Sequence, residues 1–183
     1  MGNSIIIKVI SNIIENKKLN NFQKCIDAIE FPFYLRSTPV INSKNNDFVL
    51  EHCLIKRKED RNDKNENILN SDWAKDFIGI FEDFCTKQKI KNTEIYRASV
   101  NLTFSNGYKR CAVHQDHPYK HRQLIIYLNN ADPISTTVIL NNKNKILKEI
   151  IPKKNKGVFF NSNPHYHNYP KKGYRLSLVY TFK

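Results

Sequence analysis

The run HQDHPYKHRQLIIYLNN (residues 114–130) sets three histidines and an aspartate ahead of an apolar stretch that reads as a β-strand. Side chains alternate along extended backbone, so His114 and Asp116 would leave it on one face, imidazole beside carboxylate. Such a pair is a natural fragment of a metal site. Alone it carries little weight, because the chain holds six histidines and nine aspartates.

The segments on either side give it a context. Six β-rich runs follow one another from about residue 94: EIYRASVNLTF, RQLIIYLN, STTVIL, KILKEII, KGVFF and GYRLSLVYTF, separated by Asn, Gly, Pro and Lys clusters. Strands at this spacing with little helical pattern between them point to a sandwich or barrel. About fifty residues beyond Asp116 lies NPHYHNYPKKGYRLSLVYTF (163–182), with His165, His167, Arg175 and Ser177. Two histidines and one carboxylate make the facial triad of non-haem Fe(II) oxygenases. Arg175 and Ser177 share a face of the last strand, where a guanidinium beside a hydroxyl can clamp a carboxylate.

The N-terminal half reads differently. Ile5, Ile6, Val9, Ile10, Ile13 and Ile14 recur at helical spacing and predict an opening helix, followed by an extended FPFYLRSTPV. KRKEDRNDKNENILN (56–70) reads as a polar surface loop. Ser71 can cap a helix starting at Asp72, with Trp73, Phe77, Ile80, Phe81 and Phe84 as one apolar stripe. That stripe is read as core, and Trp73 receives no functional role. The expected architecture is mainly β with N-terminal helices: a single domain over 1–183, with 1–93 as a supporting region and 94–183 as the core.

Bulk composition narrows the function classes. The 183 residues are 40% apolar, enough for one real core. No apolar run is long enough to span a membrane, and the first residues do not read as a secretory signal, so a cytoplasmic protein is expected. Cys25, Cys53, Cys85 and Cys111 are scattered without a CxxC pair and are expected to be reduced thiols. The formal charge of +13 invites a nucleic-acid reading. Yet the cations are dispersed, and the chain is rich in Asn, with twenty-four copies, as well as in Lys and Ile. AT-rich coding accounts for that pattern, so nucleic acid is not the favoured partner.

In chain order, HQD, the LIIYLN strand, the GVFF strand leading to a second histidine, and the closing GYRLS resemble the Fe(II)/2-oxoglutarate-dependent dioxygenases. The nearest flavour is the prolyl-4-hydroxylase-like branch with its small phage and viral members. The resemblance covers about residues 94–182 and implies a double-stranded β-helix, or jelly roll. It implies Fe(II) held by His114, Asp116 and a second histidine, with 2-oxoglutarate and O2 as cosubstrates. The family's distal histidine stands nine to eleven residues before its arginine. His165 lies ten before Arg175 and His167 eight, so His165 is taken as the third ligand. Arg175 then pairs with the far carboxylate of 2-oxoglutarate, Ser177 completes Arg-x-Ser, and Tyr127 and Asn101 are further cosubstrate contacts. Thr137 stands where many relatives carry a threonine, although the Gly-containing turn usual after Tyr-Leu-Asn is replaced by ADPISTTVIL. His117 and His121 are expected at the rim, solvated or facing substrate, and His52 at a strand edge. The implied reaction is hydroxylation of a C–H bond with release of succinate and CO2. Its substrate would be a protein side chain, prolyl first, or a small molecule. A nucleic-acid-modifying oxygenase and a non-enzymatic jelly-roll module are the rival readings, and the oligomeric state is left open.

Overall fold

A computed structural model describes residues 6–37, 48–61, 68–91 and 94–183. In chain order the elements are β1 (Ile7–Ser11), α1 (Asn16–Ile26), β2 (Tyr34–Arg36), β3 (Val49–Ile55), α2 (Ala74–Gln88), β4 (Ile95–Phe104), β5 (Arg122–Tyr127), β6 (Thr137–Leu140), β7 (Ile146–Ile150), β8 (Lys156–Asn161), β9 (His165–His167) and β10 (Tyr174–Phe182). They build a seven-stranded sheet, ordered β1-β8-β5-β10-β4-β3-β2, and a three-stranded sheet, ordered β7-β6-β9. Every pairing is antiparallel.

Period-two alternation explains how the large sheet is used. In β4, Ala98 and Val100 point to one face, while Arg97, Ser99, Asn101 and Thr103 point to the other. β10 repeats the pattern, with Leu176, Leu178, Tyr180 and Phe182 opposite Arg175, Ser177 and Thr181. The apolar faces join Phe77, Ile80, Phe81 and Phe84 of α2 in the main core. The other face meets the small sheet through a second cluster that includes Ile125, Tyr127 and Val179 with Ile139 and Ile150. Polar side chains of the large sheet are therefore held inside, between two sheets. That interior is where chemistry can be placed.

The apolar stripe of α2 is buried as its spacing predicts, with Trp73 half-buried against it. The helix begins at Ala74, two residues later than expected. Ser71 Oγ nevertheless accepts the Trp73 N–H at 3.2 Å and also contacts His52 Nε2 at 2.7 Å. His52 lies in β3, stacked on Phe31 with ring centroids 3.9 Å apart.

The opening segment departs from its helical reading. Ile7–Ser11 is a strand paired with β8, and Asn12, at φ 54°, turns the chain so that Ile13 and Ile14 enter the core. A short run of β-branched residues satisfies both periods, and here an available sheet edge decides. Ile5 lies outside the described residues, as do 38–40 of FPFYLRSTPV and 62–67 of the charged loop. Among the described residues, the region 1–93 thus supplies three strands of the large sheet as well as two helices. No helix among the described residues is long and apolar enough to cross a membrane. The four cysteines form no disulfide.

Gly157 of β8 tests the packing. A Cβ built there would lie 2.8 Å from the Ile125 carbonyl oxygen of β5 and 2.4 Å from Ile13 Cδ1. Ile13 can rotate, but the strand backbone cannot easily withdraw. Gly157→Ala is expected to destabilise the fold by about 1–3 kcal/mol, read as a drop in melting temperature of roughly 3–10 °C.

Candidate active site

The loop after β4 returns His114 to β9, where it is pinned by two backbone bonds. His114 N–H donates to the His165 carbonyl at 3.0 Å, and His165 N–H donates to the His114 carbonyl at 2.9 Å. The two rings lie 4.4 Å apart. Nδ1 of His114 meets the Ala112 carbonyl at 2.9 Å, and Nδ1 of His165 meets that of Asn163 at 3.1 Å. A carbonyl only accepts, so both Nδ1 atoms carry the hydrogen and both Nε2 atoms turn toward the interior.

Asp116 faces them from the same loop. Its Oδ1 accepts from Arg57 and Arg97, each at 3.3 Å. Its Oδ2 is buried, makes no hydrogen bond, and lies 3.4 Å from His165 Nε2. Burial, with His114 adding to it, pushes His165 down to about 3, so its Nε2 is bare at neutral pH. The close approach is consequently two lone pairs facing each other rather than an ion pair. Burial opposes the charge on Asp116, yet His114 and the Arg97 and Arg57 guanidinium groups hold it well below the usual carboxylate range. Burial also opposes a charged His114, but Cys111 and Asp116 outweigh it and raise the imidazole to about 9. Donor atoms of His114, Asp116 and His165 all lie within 4.8 Å of one another. An orphaned carboxylate oxygen with two oriented Nε2 atoms fits a divalent transition metal bound by two imidazoles and a carboxylate.

A chain of charges supports this set from outside. Arg97 is buried and donates to Glu51 Oε1 at 2.6 Å; Glu51 Oε2 accepts from Arg36 at 3.0 Å, which in turn reaches Asp60 at 3.1 Å. Burial opposes ionisation of Glu51, but Arg97 and Arg36 overcome it and lower the carboxyl to about 2. Because the folded value lies below the unfolded one, the stabilisation is complete above about pH 4.5 and is lost as pH falls through 2. Glu51→Gln should flatten chemical-denaturation stability across that window, where the wild-type protein loses on the order of 3 kcal/mol.

Arg175 occupies the opposite end of the pocket. It is buried, and among the described residues no carboxylate pairs with it. One terminal nitrogen donates to Thr137 Oγ1 at 2.8 Å, Nε has no partner, and Tyr127 O–H also donates to Thr137 at 2.7 Å. The Tyr127 ring centre lies 5.5 Å from the guanidinium carbon. Burial lowers the pKa of Arg175, which marks a cation without its counter-ion. Ser177 and Asn101 line the same pocket.

His167 shares the strand face of His165 but goes elsewhere. Its Nδ1 lies 3.3 Å from Cys111 Sγ, and its Nε2 has no partner. His117 and His121, expected at the rim as solvated or substrate-facing residues, are both buried rather than solvated. His117 Nε2 bonds Thr181 Oγ1 at 2.7 Å, its ring stacks on Tyr119, and His121 meets it edge-on at 5.0 Å.

Sequence reasoning passed over Arg57, Arg97, Glu51, Cys111 and Gln123. A signal for Arg97 was present: Arg97, Ser99, Asn101 and Thr103 form an unbroken polar face in an otherwise apolar strand. Arg57 was counted among dispersed surface charges, and no local pattern distinguishes it.

No family model and no curated protein sequence matches this chain. Solved structures do match. An oxidoreductase of the 2OG-Fe(II) oxygenase family from Burkholderia pseudomallei superposes with a TM-score of 0.75 at 12% identity, over 98% of this chain and 84% of the other. The viral collagen prolyl hydroxylase of Paramecium bursaria Chlorella virus-1, in complex with 2-oxoglutarate, gives 0.59 at 14%, over 96% and 94%. The non-haem α-ketoglutarate-dependent epimerase SnoN from nogalamycin biosynthesis gives 0.64 at 9%, over 97% and 77%. The chain has the fold of the 2OG-Fe(II) oxygenases.

Proposed function

We propose that the protein is an Fe(II)- and 2-oxoglutarate-dependent oxygenase whose two sheets form a double-stranded β-helix around the pocket. The observation that carries this is the pairing of two unmet demands in one cavity. Asp116 Oδ2 lies unpartnered 3.4 Å from His165 Nε2 with a His114 donor atom in reach, and among the described residues Arg175 is buried without a carboxylate partner. A divalent metal answers the first and a dicarboxylate the second.

His114, Asp116 and His165 hold the metal, with Nε2, Oδ2 and Nε2 as donors. Iron bound there supplies the activation of dioxygen that couples decarboxylation of 2-oxoglutarate to oxidation of the substrate. Arg97 and Arg57 restrain Asp116 through Oδ1, which leaves Oδ2 as the single donor oxygen. Arg175 and Thr137 receive the distal carboxylate of 2-oxoglutarate by charge-assisted hydrogen bonds, with Tyr127, Ser177 and Asn101 around it. Oxygen is balanced when 2-oxoglutarate, O2 and a C–H bond become succinate, CO2 and a C–OH group.

The substrate is a protein side chain, prolyl first, or a small molecule. The viral collagen prolyl hydroxylase and SnoN are fold relatives of those two kinds. Three arginines on the Asp116 side, Arg36, Arg57 and Arg97, are each paired with Glu51, Asp60 or Asp116 and so offer no free charge to a nucleic acid. Duplex or single-strand binding with a steep salt slope would reverse that choice. The reaction itself is tested by succinate formation from 2-oxoglutarate with Fe(II) and oxygen. Wild-type protein should form it and Asp116→Ala should not; equal rates in both would refute the assignment.

A further inference from the structure

Gln123 lies in β5 with its side chain buried in the same pocket, and no role described so far uses it. Its Nε2 sits 3.4 Å from His165 Nε2, and its Oε1 has no hydrogen-bond partner. Because His165 Nδ1–H is committed to the Asn163 carbonyl, His165 Nε2 is an acceptor, and the end of the amide facing it must be the NH2 group. This settles the orientation of the amide chemically. Once His165 Nε2 gives its lone pair to a cation, that NH2 group loses the one acceptor it has among the described residues. It would then be free to donate to an oxygen that a bound cosubstrate brings to the imidazole end of the pocket.

The sheet register says which oxygen. Gln123 pairs with Thr181 of β10, Tyr127 pairs with Ser177, and Arg175 lies two residues beyond Ser177. Gln123 and Arg175 therefore stand toward opposite ends of the pocket, with Gln123 at the imidazole end. A 2-oxoglutarate anchored at Arg175 by its distal carboxylate presents its keto-acid end to the imidazoles. The C1 carboxylate is the extremity of that end.

We propose that Gln123 recognises the C1 carboxylate of 2-oxoglutarate, its side-chain NH2 donating to a carboxylate oxygen, so that Arg175 and Gln123 grip the two ends of the cosubstrate. This rests on the oxygenase reading above. It makes Gln123 a determinant of keto-acid recognition, distinct from the residues that hold the metal. Succinate is one carbon shorter, so its second carboxylate falls short of Gln123 and should gain little from it. The residue thereby favours cosubstrate over product in the same pocket.

The test uses the Mn(II)-loaded protein, which binds without turnover, and the variants Gln123→Leu and Gln123→Glu. Mn(II) affinity, read from the electron paramagnetic resonance of free Mn(II), should stay within about twofold of wild type in Gln123→Leu and should not weaken in Gln123→Glu. Titration calorimetry should show 2-oxoglutarate affinity falling about tenfold in Gln123→Leu and further in Gln123→Glu, while succinate affinity stays within about twofold in Gln123→Leu. Equal loss for both ligands, or no loss for either, overturns the proposal. A wild-type Mn(II) protein that binds no 2-oxoglutarate fails at an earlier step and refutes the oxygenase reading instead.

Discussion

Replacing His165 with alanine should abolish metal binding, and replacing His167 should not. The two histidines lie two residues apart on one strand and face the same pocket. What separates them is the company each keeps. His165 is locked to His114 by reciprocal backbone bonds, and its Nε2 approaches the unpartnered Asp116 Oδ2. His167 is spent on Cys111, with backbone N–H and Nδ1 both 3.3 Å from the sulfur. Loss of an outer partner of a metal ligand typically costs ten- to a hundredfold in affinity, so loss of the ligand itself should exceed about a hundredfold. Mn(II) or Co(II) titration of the two alanine variants measures the difference. Equal affinities would move the third ligand to His167 or out of this strand.

The second large effect is expected at Arg175. Truncating one partner of a buried charge pair costs about 2–5 kcal/mol, so Arg175→Leu should weaken 2-oxoglutarate binding by roughly thirty- to several-thousandfold. Metal affinity in the absence of 2-oxoglutarate should be almost unchanged, because no donor atom of the metal set touches Arg175. Arg175→Lys should recover part of the loss, since an ammonium keeps the charge but not the two-pronged fork. Isothermal titration of the Mn(II) protein reads both. If Arg175→Leu binds 2-oxoglutarate as tightly as the wild-type protein, the buried guanidinium serves only the fold.

Much of this arrangement was legible because the last ninety residues obey one period. All six β-rich runs from EIYRASVNLTF to GYRLSLVYTF are strands, and their alternation separates a core face from a pocket face. Arg175 and Ser177 were readable as pocket residues for that reason. The opening isoleucines were not, since a strand of five residues and a helix of three turns share their apolar spacing. Only the free edge of β8 decides between them, and that edge is more than a hundred residues away in the chain. Long range is also why Glu51, Arg57 and Arg97 escaped notice. Glu51 and Arg57 are unremarkable locally, and the polar face that carries Arg97 acquires its meaning only when β3 and β4 are laid beside the loop that carries Asp116. His117 and His121 failed for a related reason. Their neighbours in sequence are polar, whereas their neighbours in space are Tyr96, Tyr119 and Thr181.

The central claim is that one pocket holds a metal at one end and anchors a dicarboxylate at the other, so that each ligand strengthens the other. The most direct test is 2-oxoglutarate binding measured by calorimetry with and without Mn(II), in the wild-type protein and in Asp116→Ala. Wild-type affinity should rise at least tenfold when Mn(II) is present, a coupling of about 1.4 kcal/mol, and Asp116→Ala should show no rise. Binding of 2-oxoglutarate that is indifferent to the metal, or absent altogether, would contradict the account.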